Sequence, residues 1–165
     1  PATLADLRAE HDLQLKFYDA AKESWQANAD INALRETIAE YTNGRAPSDV
    51  ASAATALDDK LAALAGTTER RNRGGGRNGG AVPTDFVAIN RAVTSQITAL
   101  DNGDLAPTEF MDRAYSADCS DLSKAITSVN SIESSDLPAF NALLAKNNLK
   151  PVARPSRSLA NPVCR

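Results

Sequence analysis

Apolar side chains recur every three or four positions along the first forty residues of the chain. This spacing follows the 3.6-residue period of an α-helix and places the apolar side chains on one face. Ser24 is the one polar residue within the stripe. Thr3 can cap the helix, Asp6 lies in the favourable first turn, and the pattern ends near Tyr41, before Asn43 and Gly44. The apolar stripe comprises Leu13, Phe17, Ala20, Ala27, Ile31, Leu34, Ile38 and Tyr41.

Four later segments show the same period, and glycine or proline residues bound most of them. We expect caps at Ser48 and Thr84, a fourth helix that starts at Thr108, and a short last helix that follows Asp136. The apolar positions of these four segments are Val50, Ala54, Leu57, Leu61 and Leu64; Phe86, Ile89, Val93, Ile97 and Leu100; Met111, Ala114, Leu122, Ile126, Val129 and Ile132; and Leu137, Phe140, Leu143 and Leu144. The expected helix ends are at Gly66, at Asn102 and Gly103, and near Asn147 and Asn148.

No segment shows the alternation that is typical of strands. The short connections at 43–47 and 102–107 require the helices that they join to lie antiparallel. The sequence therefore predicts an all-α fold, an up-down antiparallel four-helix bundle with a short fifth helix and an extended C-terminal tail. The bundle is expected over 1–152, with a flexible Gly/Arg-rich loop at 67–83, and the basic tail over 153–165.

Composition narrows the class of protein. The 165 residues include 18 Lys and Arg against 21 Asp and Glu, a net charge of −3, which excludes a uniformly basic nucleic-acid binder. A hydrophobic content of 42% suits one soluble globular domain, and no apolar run reaches the roughly 20 residues of a membrane span. Because the chain begins with Pro1 rather than Met, it is expected to be processed or a piece of a longer protein.

The basic charge is concentrated in the loop and the tail. The loop carries Arg70, Arg71, Arg73 and Arg77 among five glycines, like the arginine-glycine segments that bind nucleic acids. It has no interleaved aromatic residue and lacks the Gly-Lys-Ser/Thr ending of a phosphate-binding loop. A soluble spacer between two helical hairpins is the favoured interpretation, and contact with nucleic acid or another acidic surface is the alternative.

The chain offers little for catalysis or metal binding. His11 is the only histidine, so a His-based metal cluster is impossible, and no Ser and Asp stand at a recognisable triad spacing. The pairs Asp58-Asp59 and Asp118 with Asp121 lack the spacing of a calcium loop. We therefore expect no cofactor, no metal and no catalytic residue.

One enzymatic alternative stays open. A small all-α enzyme of the chorismate-mutase type stabilises an anionic transition state with buried cations and needs no cofactor. The cations available for this purpose are Arg8, Arg35, Arg91 and Arg113. Their convergence in a pocket is the structural condition for this alternative.

Cys119 and Cys164 are the only thiols. They could form a disulfide that ties the tail to the bundle, or they could be two unrelated thiols, and the spacing does not decide between these alternatives. Phe17, Tyr18 and Trp25 on the first helix are predicted to be either core residues or anchors that face a partner.

Short stretches near both ends of the chain resemble a known family. They are residues 5–8 (ADLR), 31–35 (INALR), 136–144 (DLPAFNALL) and 149–152 (LKPV). They resemble the C-terminal helical region of bacterial secreted sortilin-like proteins, which carry BNR (sialidase-type) repeats in β-propellers. The similarity spans about residues 3–152 and excludes the Gly/Arg loop and the end of the tail.

The resemblance implies a non-catalytic accessory module that docks on a β-propeller or a larger protein assembly. Any sugar chemistry in that family would belong to the propeller, so no catalytic residue is carried over to this chain. Secretion in that family implies a secreted or periplasmic location and favours a bridge between Cys119 and Cys164.

Overall fold

The computed structural model describes residues 2–42, 46–66, 85–101, 106–157 and 159–164. These residues form an all-α helical bundle, as predicted, and the described ranges contain no strand. The helices are α1 (Leu4–Ala39), α2 (Ser48–Ala65), α3 (Phe86–Leu100), α4 (Glu109–Ser131) and α5 (Leu137–Lys146), with a π-helical turn, Ile132–Asp136, between α4 and α5.

Helix α1 begins with a capping box. The Thr3 hydroxyl accepts a hydrogen bond from the Asp6 N–H at 3.2 Å, and the Asp6 carboxylate accepts one from the Thr3 N–H at 2.8 Å. The Thr3 hydroxyl also donates to the Asp6 carboxylate at 2.7 Å. The hydrogen bond from the Thr3 N–H and then the one from the Thr3 hydroxyl lower the pKa of Asp6, because both stabilise its charged form. Every predicted stripe position from Leu13 to Ile38 is buried, and Ser24 is buried with them.

The caps predicted at Ser48 and Thr84 are not the ones observed. At the predicted start of α4, the Thr108 hydroxyl caps the helix by accepting from the Met111 N–H at 3.3 Å. In contrast, Ser48 is the first residue of α2, so the prediction that it caps this helix is wrong. Asp85 caps α3 by accepting from the Ala88 N–H at 2.7 Å, since a carboxylate is the stronger acceptor at the positive end of a helix.

Helix α2 packs antiparallel to the C-terminal half of α1. Arg35 donates to Asp58 at 2.7 Å, and Asn28 donates to the carbonyl oxygen of Ala65 at 2.7 Å. Lower numbers on α1 pair with higher numbers on α2, which fixes the antiparallel direction that the short 43–47 connection predicts.

Helix α3 packs antiparallel to the N-terminal half of α1. Asn90, near its start, donates to the carbonyl oxygen of Ala21 at 2.8 Å, and Gln14 donates to Asp101, at its end, at 3.5 Å. Helices α2 and α3 therefore follow one another along α1, which is long enough to accommodate both at about 1.5 Å per residue.

The end of α2 meets the start of α3 at Gly66 and Asp85. Gly66 has a φ of +78°, and a Cβ atom there would run into the Asp85 carboxylate. Gly66 and Asp85 thus lie next to each other, although they are well separated in the sequence. The predicted loop, 67–83, lies outside the described residues.

This close approach makes Gly66 sensitive to substitution. We expect Gly66→Ala to lower the free energy of unfolding by roughly 1 to 3 kcal/mol, because alanine is strained at this positive φ and its methyl group meets Asp85. Urea denaturation measures the change. The exposed control Ala63→Ser on the same helix should stay within about 0.5 kcal/mol of the parent chain, and an equal loss in both variants would contradict this explanation.

Helix α4 continues into α5 without a loop. The Leu137 N–H donates to the carbonyl oxygen of Ile132, five residues earlier, as in a π-helix. Pro138 has no N–H, and its ring clashes with the carbonyl group four residues before it in a regular α-helix. The wider π turn removes that clash, so the predicted fifth helix extends the fourth.

The α4–α5 rod runs parallel to α1. Phe17 on α1 meets Tyr115 on α4 edge to face, with the ring centroids 5.3 Å apart, and Tyr41 meets Phe140 on α5 at 5.7 Å. The described bundle thus has three long rods, formed by α1, by α2 followed by α3, and by α4 followed by α5. Helices α2 and α3 run in the same direction and share one rod, where the sequence predicts four helices side by side in up-down order, because each is about half as long as α1.

The C-terminal tail is extended, as predicted, and runs back along the bundle. Asn141 on α5 exchanges hydrogen bonds of 2.9 and 2.8 Å with the backbone of Val152, and Asn130 on α4 donates to the carbonyl oxygen of Leu159 at 3.3 Å. Val152 and Leu159 are buried in the core. The tail therefore completes the bundle with apolar side chains of its own.

Candidate functional site

Cys119 and Cys164 form a disulfide, with their Cα atoms 5.5 Å apart. Cys119 lies fully buried on α4, and Cys164 lies near the end of the tail. Of the two alternatives that the sequence left open, the bridge is therefore correct. Because it joins residues 45 positions apart, it fixes the whole tail to the bundle.

Arg157 provides a second attachment of the tail, to the surface of α1. Its guanidinium group contacts both carboxylate oxygens of Glu23 at 3.1 Å, the Gln26 side-chain oxygen at 2.7 Å and Asp30 at 3.4 Å. The sequence analysis missed this cluster. The available signal is the spacing of Glu23, Gln26 and Asp30 by three and four residues, which places three acceptors on one edge of α1.

Two carboxyl groups near the tail have perturbed pKa values. Burial raises the pKa of Glu133, with Arg154 opposing the shift and Asp30 adding to it. Burial also raises the pKa of Asp118, the neighbour of Cys119, and the Asp121 charge adds to this shift. Each raised pKa means that the charged form is disfavoured in the folded chain relative to the unfolded chain.

This shift predicts a pH-dependent effect of Asp118→Asn. The folded state binds a proton at Asp118 more readily than the unfolded state, so this group costs stability as the pH rises above the ordinary range of a carboxyl pKa. We expect Asp118→Asn to be more stable than the parent chain at pH 7 and to lose this advantage when Asp118 is protonated in both states. Thermal unfolding at pH 3 and pH 7 tests this expectation, which a pH-independent difference would contradict.

Of the three aromatic residues predicted to be core residues or docking anchors, one is in the core and two are exposed. Phe17 is fully buried against Tyr115 and belongs to the core. Tyr18 and Trp25 are 57% and 62% exposed. Only these two therefore lie on a surface that a partner can reach.

Tyr18 and Trp25 are part of a second apolar stripe on α1. At 100° per residue, it occupies an arc of about 80° on the side of the helix opposite the core. The exposed residues of this outer stripe are Leu4, Leu7, Leu15, Tyr18 and Trp25. The sequence analysis missed its three leucines, although Leu4, Tyr18 and Trp25 recur at multiples of seven residues.

Cations lie along the outer stripe. Arg8 and Lys22 are exposed and fall between its apolar residues in the sequence, as does the exposed imidazole ring of His11. Neither Arg8 nor Lys22 forms an ion pair with any other described residue. The outer stripe therefore offers apolar contact together with the positive charges of Arg8 and Lys22, with the exposed Asp12 and Asp19 at the same edge as Arg8.

Beside the outer stripe, a cleft of about 440 Å³ runs between α1 and α3. Trp25 lines one side, and Arg91, Thr94 and Ser95 on α3 line the other. Asn90 spans the floor, where its amide nitrogen donates to the carbonyl oxygen of Ala21 and to the hydroxyl of the buried Ser24 at 2.8 and 3.0 Å. This volume falls in the range of sites that hold small ligands or short chain segments.

The four arginines of the enzymatic alternative are not brought together. Arg35 is engaged with Asp58, and Arg113 forms an exposed ion pair with Glu109 at 3.6 Å on α4. Of the four arginines, only Arg91 lines the α1–α3 cleft, and Arg8 lies beside the outer stripe. The structural condition for the enzymatic alternative is therefore not met by these residues.

Other predicted features are located as follows. Among the described residues, no cluster of His, Cys, Asp and Glu side chains could hold a metal ion, and no helix is long and apolar enough to cross a membrane. Of the loop arginines, Arg70, Arg71, Arg73 and Arg77, none lies within the described ranges.

No protein-family model, no curated protein and no solved structure matches this chain. The resemblance to the helical region of sortilin-like proteins therefore stays a prediction.

Proposed function

We propose that this chain is a non-catalytic helical interaction module that docks on a partner protein through the outer stripe of α1. The partner has an apolar patch bordered by carboxylates, since Arg8 and Lys22 lie among the apolar residues of the stripe. A β-propeller of the kind that the sequence resemblance implies, or a larger assembly, would present such a patch.

The observation that carries this proposal is the exposure of Tyr18 and Trp25 in line with the leucines of the stripe. Exposed single apolar residues are ordinary, whereas an aligned set of them on one helix face is typical of an interaction surface. Aromatic residues contribute strongly to binding because each removes a large apolar area from water.

A secreted or envelope-associated location accords with two features. A disulfide persists in oxidising compartments, and the bridge of this chain is closed. The family that the chain resembles is secreted.

The test begins with a photoreactive residue placed at position 18 of the full chain, with position 127 on the exposed side of α4 as its control. The cross-linked protein from the native source is then purified, and its affinity for the unmodified chain is measured. Leu15→Asp with Tyr18→Asp should weaken this binding by at least tenfold, because the change places charge at the centre of the contact. Ser52→Asp and Thr127→Asp, both away from the stripe, should leave the affinity unchanged.

Two results would overturn the proposal. Equal affinity in the stripe variant and the controls would place the contact elsewhere, and self-association of the chain that the stripe variant abolishes would make a second copy the occupant. Substrate turnover by the isolated chain would refute its non-catalytic role.

A further inference from the structure

We infer that the α1–α3 cleft binds an extended, acidic peptide segment, with Trp25 and Arg91 on its two sides. This inference deepens the proposed function, because the segment would belong to the partner that docks on the neighbouring outer stripe. Trp25 belongs to both surfaces, so one partner can contact them together.

The charge of the cleft selects an anion. Arg91 is exposed, lines the cleft and makes no ion pair or hydrogen bond with any other described residue. No carboxylate is among the residues that line the cleft. In a chain of net charge −3, a guanidinium group left without a carboxylate is available for an acidic ligand, which it can hold with two parallel hydrogen bonds.

The remaining hydrogen-bonding capacity of the α3 wall selects a ligand with N–H donors. The Thr94 hydroxyl donates to the carbonyl oxygen of Asn90 at 2.7 Å, and the Ser95 hydroxyl donates to that of Ala92 at 2.7 Å. Each hydroxyl proton is used, so each oxygen is left to accept. Both protons of the Asn90 amide are likewise used toward α1, which leaves its oxygen as an acceptor without a partner among the described residues.

The spacing of these acceptors matches an extended backbone. Asn90 and Thr94 are four residues apart on α3, a rise of about 6 Å. The N–H groups on one side of an extended peptide recur every two residues, about 6.6 Å. The lining residues of α3 run from Phe86 to Thr98, about 18 Å, which is room for roughly five extended residues.

The opposite wall suits an apolar side chain. The Trp25 indole is 62% exposed, and its N–H has no acceptor among the described residues. Alternate side chains of an extended peptide point to opposite sides. The side chains on one side of the peptide can thus pack on Trp25, while the carboxylates on its other side face Arg91.

Trp25 is the only tryptophan of the chain, so its fluorescence reports directly on the cleft. The probe is an acetylated and amidated pentapeptide of alternating Asp and Leu, titrated into the full chain. A saturable blue shift of the emission is expected, with weaker binding at higher ionic strength. A peptide with Asn in place of Asp, and one with N-methylated backbone nitrogens, should each bind about tenfold or more weakly.

The matched variants are Arg91→Gln in the cleft and Arg113→Gln on the exposed face of α4. The first should weaken binding of the acidic peptide about tenfold or more, and the second should leave it unchanged. Equal affinity for the acidic and neutral peptides, an unaffected Arg91→Gln variant, or an unchanged emission at millimolar peptide would each overturn the inference. If partner binding depends on Leu15 and Tyr18 but not on Arg91, the proposed docking on the outer stripe is supported and the peptide site in the cleft is refuted.

Discussion

Replacing both Cys119 and Cys164 with alanine is expected to lower the free energy of unfolding by about 4 kcal/mol. The bridge closes a span of 45 residues, and releasing this constraint on the unfolded chain accounts for a loss of that size. Urea denaturation of the oxidised parent chain and of the double variant measures the difference. Dithiothreitol should destabilise the parent chain by a similar amount and leave the variant unaffected.

Without the disulfide, the attachment of the tail to the bundle should weaken progressively toward the C-terminal end. Val152 keeps its two hydrogen bonds to Asn141 without the bridge, whereas Leu159 is held by one longer hydrogen bond and by packing. Amide hydrogen exchange at Val152 should therefore remain slow, whereas the segment beyond Leu159 should become accessible to limited proteolysis. Equal resistance to proteolysis in the parent chain and the variant, or a double variant within about 1 kcal/mol of the parent chain, would contradict this account.

The repeating pattern in the sequence predicts the helices and their core faces because it directly reflects helical geometry. Each position of the first stripe between Leu13 and Ile38 is buried, and even the polar Ser24 follows the periodicity. Local chemistry also predicts the capping at Thr3 and the start of α4 at Thr108 to within one residue. These features depend on residues close together in the sequence.

The order of the rods depends instead on contacts between distant residues. The stacking of α2 and α3 along α1 is fixed by pairs such as Asn28 with Ala65 and Asn90 with Ala21. Nothing in a periodic pattern specifies that Gly66 and Asp85 lie next to each other. The sequence leaves the disulfide an open alternative for the same reason, since two cysteines alone do not determine their own distance.

The candidate site is only partly predictable. Aromatic residues on α1 indicate an anchor surface, and of the adjacent Phe17 and Tyr18 only Phe17 falls on the predicted apolar stripe. Their faces differ by about 100°, so one enters the core and the other faces solvent. The α1–α3 cleft was not predicted, because it arises where two helices distant in the sequence lie side by side.

This adjacent pair permits a sharp test of core against surface. Phe17→Ala should lower the free energy of unfolding by about 3 to 5 kcal/mol, because it leaves a cavity in the core and removes the edge-to-face contact with Tyr115. Tyr18→Ala should change it by no more than about 0.5 kcal/mol, since its ring is 57% exposed. Chemical denaturation at neutral pH measures both variants.

The two variants should also differ in function. Tyr18→Ala keeps the fold and removes an aromatic ring from the outer stripe, so binding of the partner should weaken while the unfolding transition is preserved. Phe17→Leu, which keeps most of the buried volume, should retain both stability and partner binding better than Phe17→Ala. If Tyr18→Ala were the more destabilised of the adjacent pair, the core would lie on the other face of α1, and the outer stripe would not be a surface for docking.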